Sequence, residues 1–153
     1  MSEIDARLAD LGIALPTPAA PVANYVPFVI SGKQVFISGQ DSLGANGLIT
    51  GRLGDNLTLE QGVDAAMACA INLLAQLKVA CDGDLDRVRR VVKLGGFVNC
   101  APTFFDHPKV INGASDLMVA VFGDKGRHAR AAVGAPSLPM NAAVEVDGVF
   151  EIS

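Results

Sequence analysis

Tryptophan is missing from this 153-residue chain, tyrosine occurs once, and aromatic residues amount to only 5%. The core must therefore be built mainly from Ala, Val, Leu and Ile, and few side chains are left to stack on bases. Basic residues are also scarce: 12 Lys and Arg face 16 Asp and Glu, for a net charge of −4 and a pI of about 5.0. No basic stripe of the kind that binds nucleic acid can be drawn. The one cationic cluster, Arg87, Arg89 and Arg90, follows Asp82, Asp84 and Asp86 and reads as a solvated helix end or strand start.

Familiar catalytic signatures are missing too. The chain has no GxxxxGK[ST] phosphate loop, no GxGxxG opening a helix and no GxSxG elbow. Its two histidines, His107 and His128, have no partners at zinc-ligand spacing, so neither metal nor cofactor is expected. His107 is expected as a solvated loop residue. Three cysteines, Cys69, Cys81 and Cys100, make an odd count without CxxC. They read as reduced thiols of a cytoplasmic protein, with Cys69 in the core. MSEIDARL lacks the basic flank and apolar segment of a signal peptide, and no apolar run reads as long enough to span a membrane.

What the chain does have is apolar mass: 50% hydrophobic residues against 18% charged. The length suits one domain. So much apolar surface with so little charge predicts a homo-oligomer, in which a second copy covers part of it.

The pattern of elements predicts α+β architecture. Residues 2–12 read as a helix capped by Ser2, with Ile4, Leu8 and Leu11 on one face and Gly12 ending it. Leu15 to Pro21 reads as an extended linker. A hairpin follows, from Asn24–Ile30 and Gln34–Ser38 around SGK, then a polar loop with a short strand near Leu48 to Gly51. Thr58 and Gln61 form a capping box for a long helix to about Ala80. Val88–Asn99 reads as a strand with Gly95 and Gly96 inside it. Asp106 can cap a second helix, with Pro108 in its first turn, running to about Gly123. Strands at Ala129–Ala135 and Ala142–Phe150 complete the set. Both helices are expected on one face of a mixed sheet, leaving the other face to an oligomer.

Two charges sit in strands otherwise made for burial. Arg130 shares a strand face with Ala132 and Gly134, which leaves room around its guanidinium for a bidentate carboxylate. A solvent-facing arginine fits the pattern equally. Glu145 shares a face with Asp147, as on any half-exposed strand, or could position a water or act as a base near Arg130. Tyr25 could offer its hydroxyl to a pocket or fill the core edge, and Asn112 could line a site or be plainly exposed.

Taken together these pieces resemble the RidA superfamily, also called YjgF or L-PSP endoribonuclease-like. The pieces are Tyr25 before the first hairpin, FISGQ (Phe36 to Gln40), the helix from Thr58, GGFVN, Asn112, then R-x-x-V (Arg130, Val133), L-P (Leu138, Pro139) and V-E-V (Val144 to Val146). They span about residues 22–153, preceded by an N-terminal helix and linker over 1–21. The extra helix and longer loops resemble the divergent chorismate-mutase-like branch. The resemblance implies a chorismate-mutase-like (bacillus type) subunit with an N-terminal helical extension, in a homotrimer with clefts between subunits. It implies cofactor-free hydrolysis of reactive enamines and imines, such as 2-aminoacrylate, to 2-keto acids and ammonia. The carboxylate-binding arginine then falls on Arg130 and the strand glutamate on Glu145. Tyr25, Ser38, Gly39, Asn112 and Ala132 fall on substrate-binding positions. Ala132 replaces a common cysteine, Ala131 a serine, and Asp41 and Ser42 follow SGQ in place of an apolar residue and proline. Imine hydrolysis needs no protein nucleophile, since water can attack a protonated C=N once its carboxylate is clamped. A trimeric sensor that binds a small carboxylate without turnover, or an endoribonuclease, is the alternative.

Overall fold

The computed structural model describes residues 1–153 except Ala19 and Val22. Ala19 falls in the expected linker and Val22 at the expected start of the second segment, so these two positions lie outside the described residues.

Helix α1 (Glu3–Asp10) starts where the Ser2 side chain accepts from the Asp5 N–H. The Asp86 carboxylate accepts from the N–H groups of Glu3 and Ile4, so a distant acidic side chain also satisfies this helix end. Ile4 and Leu8 join the same core as the rest of the chain.

Strands β1 (Phe28–Ser31) and β2 (Gln34–Asp41) form the expected hairpin. Gly32 turns it with φ at +63°, a conformation glycine adopts without strain. β1 starts later than Asn24, because Pro27 delays the ladder, and β2 runs on past Ser38 to Asp41. The short strand expected near Leu48 to Gly51 is a two-residue hairpin, β3 (Leu43–Gly44) with β4 (Gly47–Leu48), plus a bridge from Thr50 to Ala142.

Helix α2 (Leu59–Ala80) has both bonds of the Thr58–Gln61 capping box. Strand β5 (Val88–Asn99) and helix α3 (His107–Phe122) follow. Asp106 occupies the cap position of α3, but its side chain makes no capping bond. The last strands are β6 (Ala129–Ala135) and β7 (Val144–Ile152), the latter shifted two residues along from the expectation at each end.

The sheet order is β1-β2-β7-β5-β6. Only β5 and β6 are parallel, because α3 carries the chain back across the sheet between them. β6 and β7 are neighbours in sequence but not in the sheet, since β5 lies between them.

Alternation sets the core. Val91, Leu94 and Val98 on β5 and Val144, Val146 and Phe150 on β7 are buried under α2 and α3. The helices approach closely at Gly113, where any Cβ would strike the Val63 carbonyl. Helix α2 is, by length and hydropathy alone, apolar enough to cross a bilayer, contrary to the sequence expectation. Its burial accounts for that composition: Cys69, Leu73, Leu74 and Leu77 are fully enclosed by sheet and α3.

The opposite sheet face carries no helix. It presents Val29, Phe36 and Val133, all exposed, with half-buried Phe97 and Val149 among Lys93, Glu145 and Asp147.

Candidate functional site

The predicted residues fall into two groups on opposite sides of the sheet. Arg130 pairs in register with Leu94, which points into the core, so its side chain leaves β6 on the helix side. Ala132 pairs with Gly96 and shares that side. Glu145 pairs with Phe97 on the uncovered side. Within one chain these two charges therefore lie on opposite faces of the sheet. Alternation gives each residue's face on its own strand, but only the register across β5 relates the two.

The Arg130 group lies where the edge strand β6 meets α3. Arg130 Nη1 donates to Asn112 Oδ1 at 2.8 Å and to Ser115 Oγ at 3.1 Å. Its Nη2 donates to the Pro108 carbonyl at 3.4 Å. Asn112 and Ser115 are three apart on α3, so they lie on one helix face and reach the same guanidinium. Ala132 adds no bulk beside it. Arg130 is half-buried, and its side-chain bonds are all to neutral acceptors; no carboxylate of the described residues pairs with it.

Two members of this group, Ser115 and His128, were not singled out as site residues from the sequence. His128 Nε2 lies 2.8 Å from Ser115 Oγ, and its Nδ1 lies 2.6 Å from the Gly126 carbonyl. The available signal was spacing: His128 is two before Arg130, Ser115 three after Asn112.

His107, expected as a solvated loop residue, is instead half-buried in the first turn of α3. Its Nε2 lies 3.4 Å from Cys100 Sγ, and its ring meets Phe104 edge-on with centroids 5.6 Å apart. Gly134, farther along the Arg130 side of β6, leaves space for that pair. Cys100, His107, Phe104, Phe105 and Pro136 line an open hollow of about 370 Å³ there. Burial pushes the Cys100 thiol up, so it is a packed thiol and not a thiolate at neutral pH. Among the described residues no three His, Cys, Asp or Glu side chains are grouped as metal ligands would be.

The second group occupies the uncovered face. Tyr25, Ser38 and Gly39 border a hollow of about 490 Å³, with Phe36, Lys93 and Asp147. That volume suits a small metabolite. Ser38 Oγ donates to the Val26 carbonyl at 2.8 Å, which ties the chain before β1 to β2. Ser38 and Gly39 form a bulge, for the ladder steps from Ile37 opposite Gly148 to Gln40 opposite Val146. Gly39 lets the Glu145 carboxyl lie close against the backbone: a Cβ there would come within 2.9 Å of the carboxyl carbon and push that side chain aside. Burial raises the pKa of Glu145, and the nearby charges of Asp41 and Asp147 raise it further. Asp147 is raised too, chiefly by burial.

With this geometry the comparisons with known proteins have a clear meaning. Residues 5–151 match the family described as "YjgF/chorismate mutase-like, putative endoribonuclease". The chain belongs to this family. It is 51% identical over 152 residues to Protein TCP17 of Trypanosoma cruzi, covering 98% of this chain and 94% of that one. A crystal structure of Atu1372 from Agrobacterium tumefaciens, of unknown function, is 48% identical with a TM-score of 0.91 over 98% of this chain and 92% of that one. A Shewanella oneidensis structure with the same endoribonuclease description is 37% identical, with a TM-score of 0.93 over 97% and 99% of the two chains. The family match covers α1 from Asp5 onward, so the N-terminal helix lies within the family pattern.

Proposed function

We propose that the protein is a cofactor-free enamine/imine deaminase, hydrolysing 2-imino or 2-enamino acids to 2-keto acids and ammonia within a homotrimer. One observation carries this reading. Arg130 is a half-buried guanidinium held by Asn112, Ser115 and the Pro108 carbonyl, with no anion of its own. Three of its five N–H groups are used, which leaves one on Nη2 and one on Nε for a carboxylate. A hydrogen bond to a charged group is worth roughly 1.5–3 kcal/mol, so the pre-placed fork favours an α-carboxylate over neutral carbonyl compounds.

The separation of the two groups supports an assembly of copies, and a trimer is the order that the family resemblance implies. Arg130 and Glu145 can act on one substrate only if the uncovered face of one copy meets the α3–β6 edge of another. Phe36, Val29 and Val133 give that face the apolar character of an interface. Glu145, Tyr25, Ser38 and Gly39 would then come from the neighbouring subunit. Glu145, a half-buried carboxylate with its pKa raised chiefly by burial, is suited to orient the attacking water. Three buried free thiols are compatible with work in a reducing compartment such as cytoplasm.

The test is to generate 2-aminoacrylate in situ and follow pyruvate. Wild type should accelerate its appearance over buffer, and Arg130→Ala should return the buffer rate. If wild type and Arg130→Ala both match buffer, the deaminase reading fails. Saturable binding of keto acids without product would then favour a carboxylate sensor, and RNA cleavage abolished by Arg130→Ala would favour a nuclease.

A further inference from the structure

Ser115 bonds both to His128 and to Arg130, yet the deaminase reading so far gives this pair no chemical task. We infer that they form a proton relay serving a substrate held on Arg130, with Ser115 the contacting group and His128 the base behind it. This inference rests on the deaminase reading and adds the step that reading lacks, a route for protons on the arginine side of the site.

The direction of each hydrogen bond follows from the partners. A carbonyl only accepts, so the 2.6 Å contact to Gly126 requires that His128 Nδ1 carry the proton. In the neutral imidazole Nε2 is then a lone pair, and at 2.8 Å the Ser115 hydroxyl donates to it. The Ser115 oxygen in turn accepts from Arg130 Nη1 at 3.1 Å. The order is carbonyl, imidazole, hydroxyl, guanidinium. It is the arrangement that turns a hydroxyl into a proton carrier, with a carbonyl holding the tautomer. The carbonyl is itself fixed, because Gly126 is seated against the Met118 backbone, where no Cβ fits.

The surroundings leave this pair free to exchange protons. Ser115 and His128 are both half-buried, so they are reachable without being immersed in solvent. Arg130 is the charged group bonded to Ser115. Arg127, one residue before His128, is paired with Asp124 at 3.6 Å, and Arg90 bonds to the Arg127 carbonyl at 3.1 Å. On α3 the nearest acidic residue in sequence, Asp116, is exposed. Lys93 neighbours Ala129 in register on the uncovered side of the sheet. No carboxylate of the described residues is hydrogen-bonded to His128.

The chemistry balances without a further reagent. Water attacks C2 of the protonated imine, a C–O bond forms, and the C=N π pair moves to nitrogen. The proton lost by that water passes to Ser115 Oγ as the Ser115 proton passes to His128 Nε2. To release ammonia the transfers reverse. His128 returns its proton through Ser115 to the amine, the C–N bond breaks, and the remaining hydroxyl proton leaves to water as C=O forms. Glu145 of another copy aligns the water, and Ser115 carries the proton between addition and departure.

The experiment compares wild type, Ser115→Ala, Ser115→Thr, His128→Asn and Arg130→Ala by kcat across pH 5–9 in the 2-aminoacrylate assay, with pyruvate binding by calorimetry. His128→Asn should bind pyruvate within about threefold of wild type, and Ser115→Ala, which also loses a bond to Arg130, within about tenfold. Their kcat should fall at least ~100-fold, the scale of general acid–base catalysis, and the acid limb of the wild-type profile should vanish. Ser115→Thr, which keeps the hydroxyl, should retain most activity. Nitrogen-15 chemical shifts of His128 in wild type, which need no variant to fold, should report the Nδ1–H tautomer. Activity lost in Arg130→Ala but unchanged in rate and pH profile in His128→Asn overturns the relay alone, as does an Nε2–H tautomer. A wild type no faster than buffer overturns the deaminase reading beneath it.

Discussion

Arg130 and Glu145 are both half-buried charges on strands of one sheet, and their surroundings are opposite in kind. Arg130 is enclosed by neutral acceptors from α3 that leave its charge unspent and its position fixed. Glu145 has two other carboxylates, Asp41 and Asp147, for neighbours and no ion pair among the described residues. The guanidinium side is finished within one chain. The carboxylate side is strained by burial and repulsion, on a face whose apolar residues are still in water. A carboxylate held in an unfavourable protonation environment is typical of a functional site, and stability is what it costs.

The comparison breaks most completely if the uncovered face is altered without touching either charge. Phe36→Glu should convert a trimer to single chains by light scattering and bring deaminase activity down at least ~100-fold, because an unpaired charge would have to be buried at the interface. Retained far-ultraviolet dichroism would show that the subunit itself survives. A trimer with wild-type activity in this variant would remove the uncovered face from the site.

Glu145→Gln tests the strained side directly. Activity should fall ~10²-fold, as for a misaligned attacking water. Stability should move the other way. The carboxyl of Glu145 is raised in the folded state, so its favourable contribution is complete below the ordinary carboxylate range. That contribution is lost as pH climbs through the raised folded value. Glu145→Gln should therefore melt higher than wild type at pH 7 and alike at pH 4, measured by calorimetry.

Asn112→Ala loosens the finished side by one bond. KM should rise about tenfold with a smaller change in kcat, since one bond to a charged group is worth roughly 1.5–3 kcal/mol and Ser115 and Pro108 remain. Equal falls in kcat and kcat/KM would mean that Asn112 acts on the reacting atoms instead. Smallest is Thr58→Ala, remote from both sides. It should cost about 1 kcal/mol of stability through the lost cap and leave kcat and KM unchanged.

The helices were legible because their signals are local. Thr58 and Gln61 mark the start of α2 within four residues, and β5 was read to its ends from its composition and the breaks around it. The neighbouring order of β6, β5 and β7 was not legible, because it depends on how α3 crosses the sheet. Arg130's face was read correctly from alternation, since Ala132 and Gly134 do lie on its side. Its placement across the sheet from Glu145 was not legible, for that needs register across a third strand. Ser115 and His128 were missed because neither belongs to a motif, and only the packing of α3 on β6 joins them. His107 was misread because a residue just after a polar loop gives no sign that a cysteine and a phenylalanine enclose it.

β7 also governs the order in which this fold can be completed. It follows every other strand in the chain yet lies in the middle of the sheet, hydrogen-bonded to β2 on one side and β5 on the other. Until it emerges, the hairpin β1–β2 and the unit β5-α3-β6 have no strand between them, and α2 has only part of a sheet to cover. The nascent chain therefore holds two open β edges apart until β7 has been made, a long-range closure that is slow and exposed to mispairing. Glu145 arrives on that same strand, so sheet closure and delivery of the carboxylate are one event.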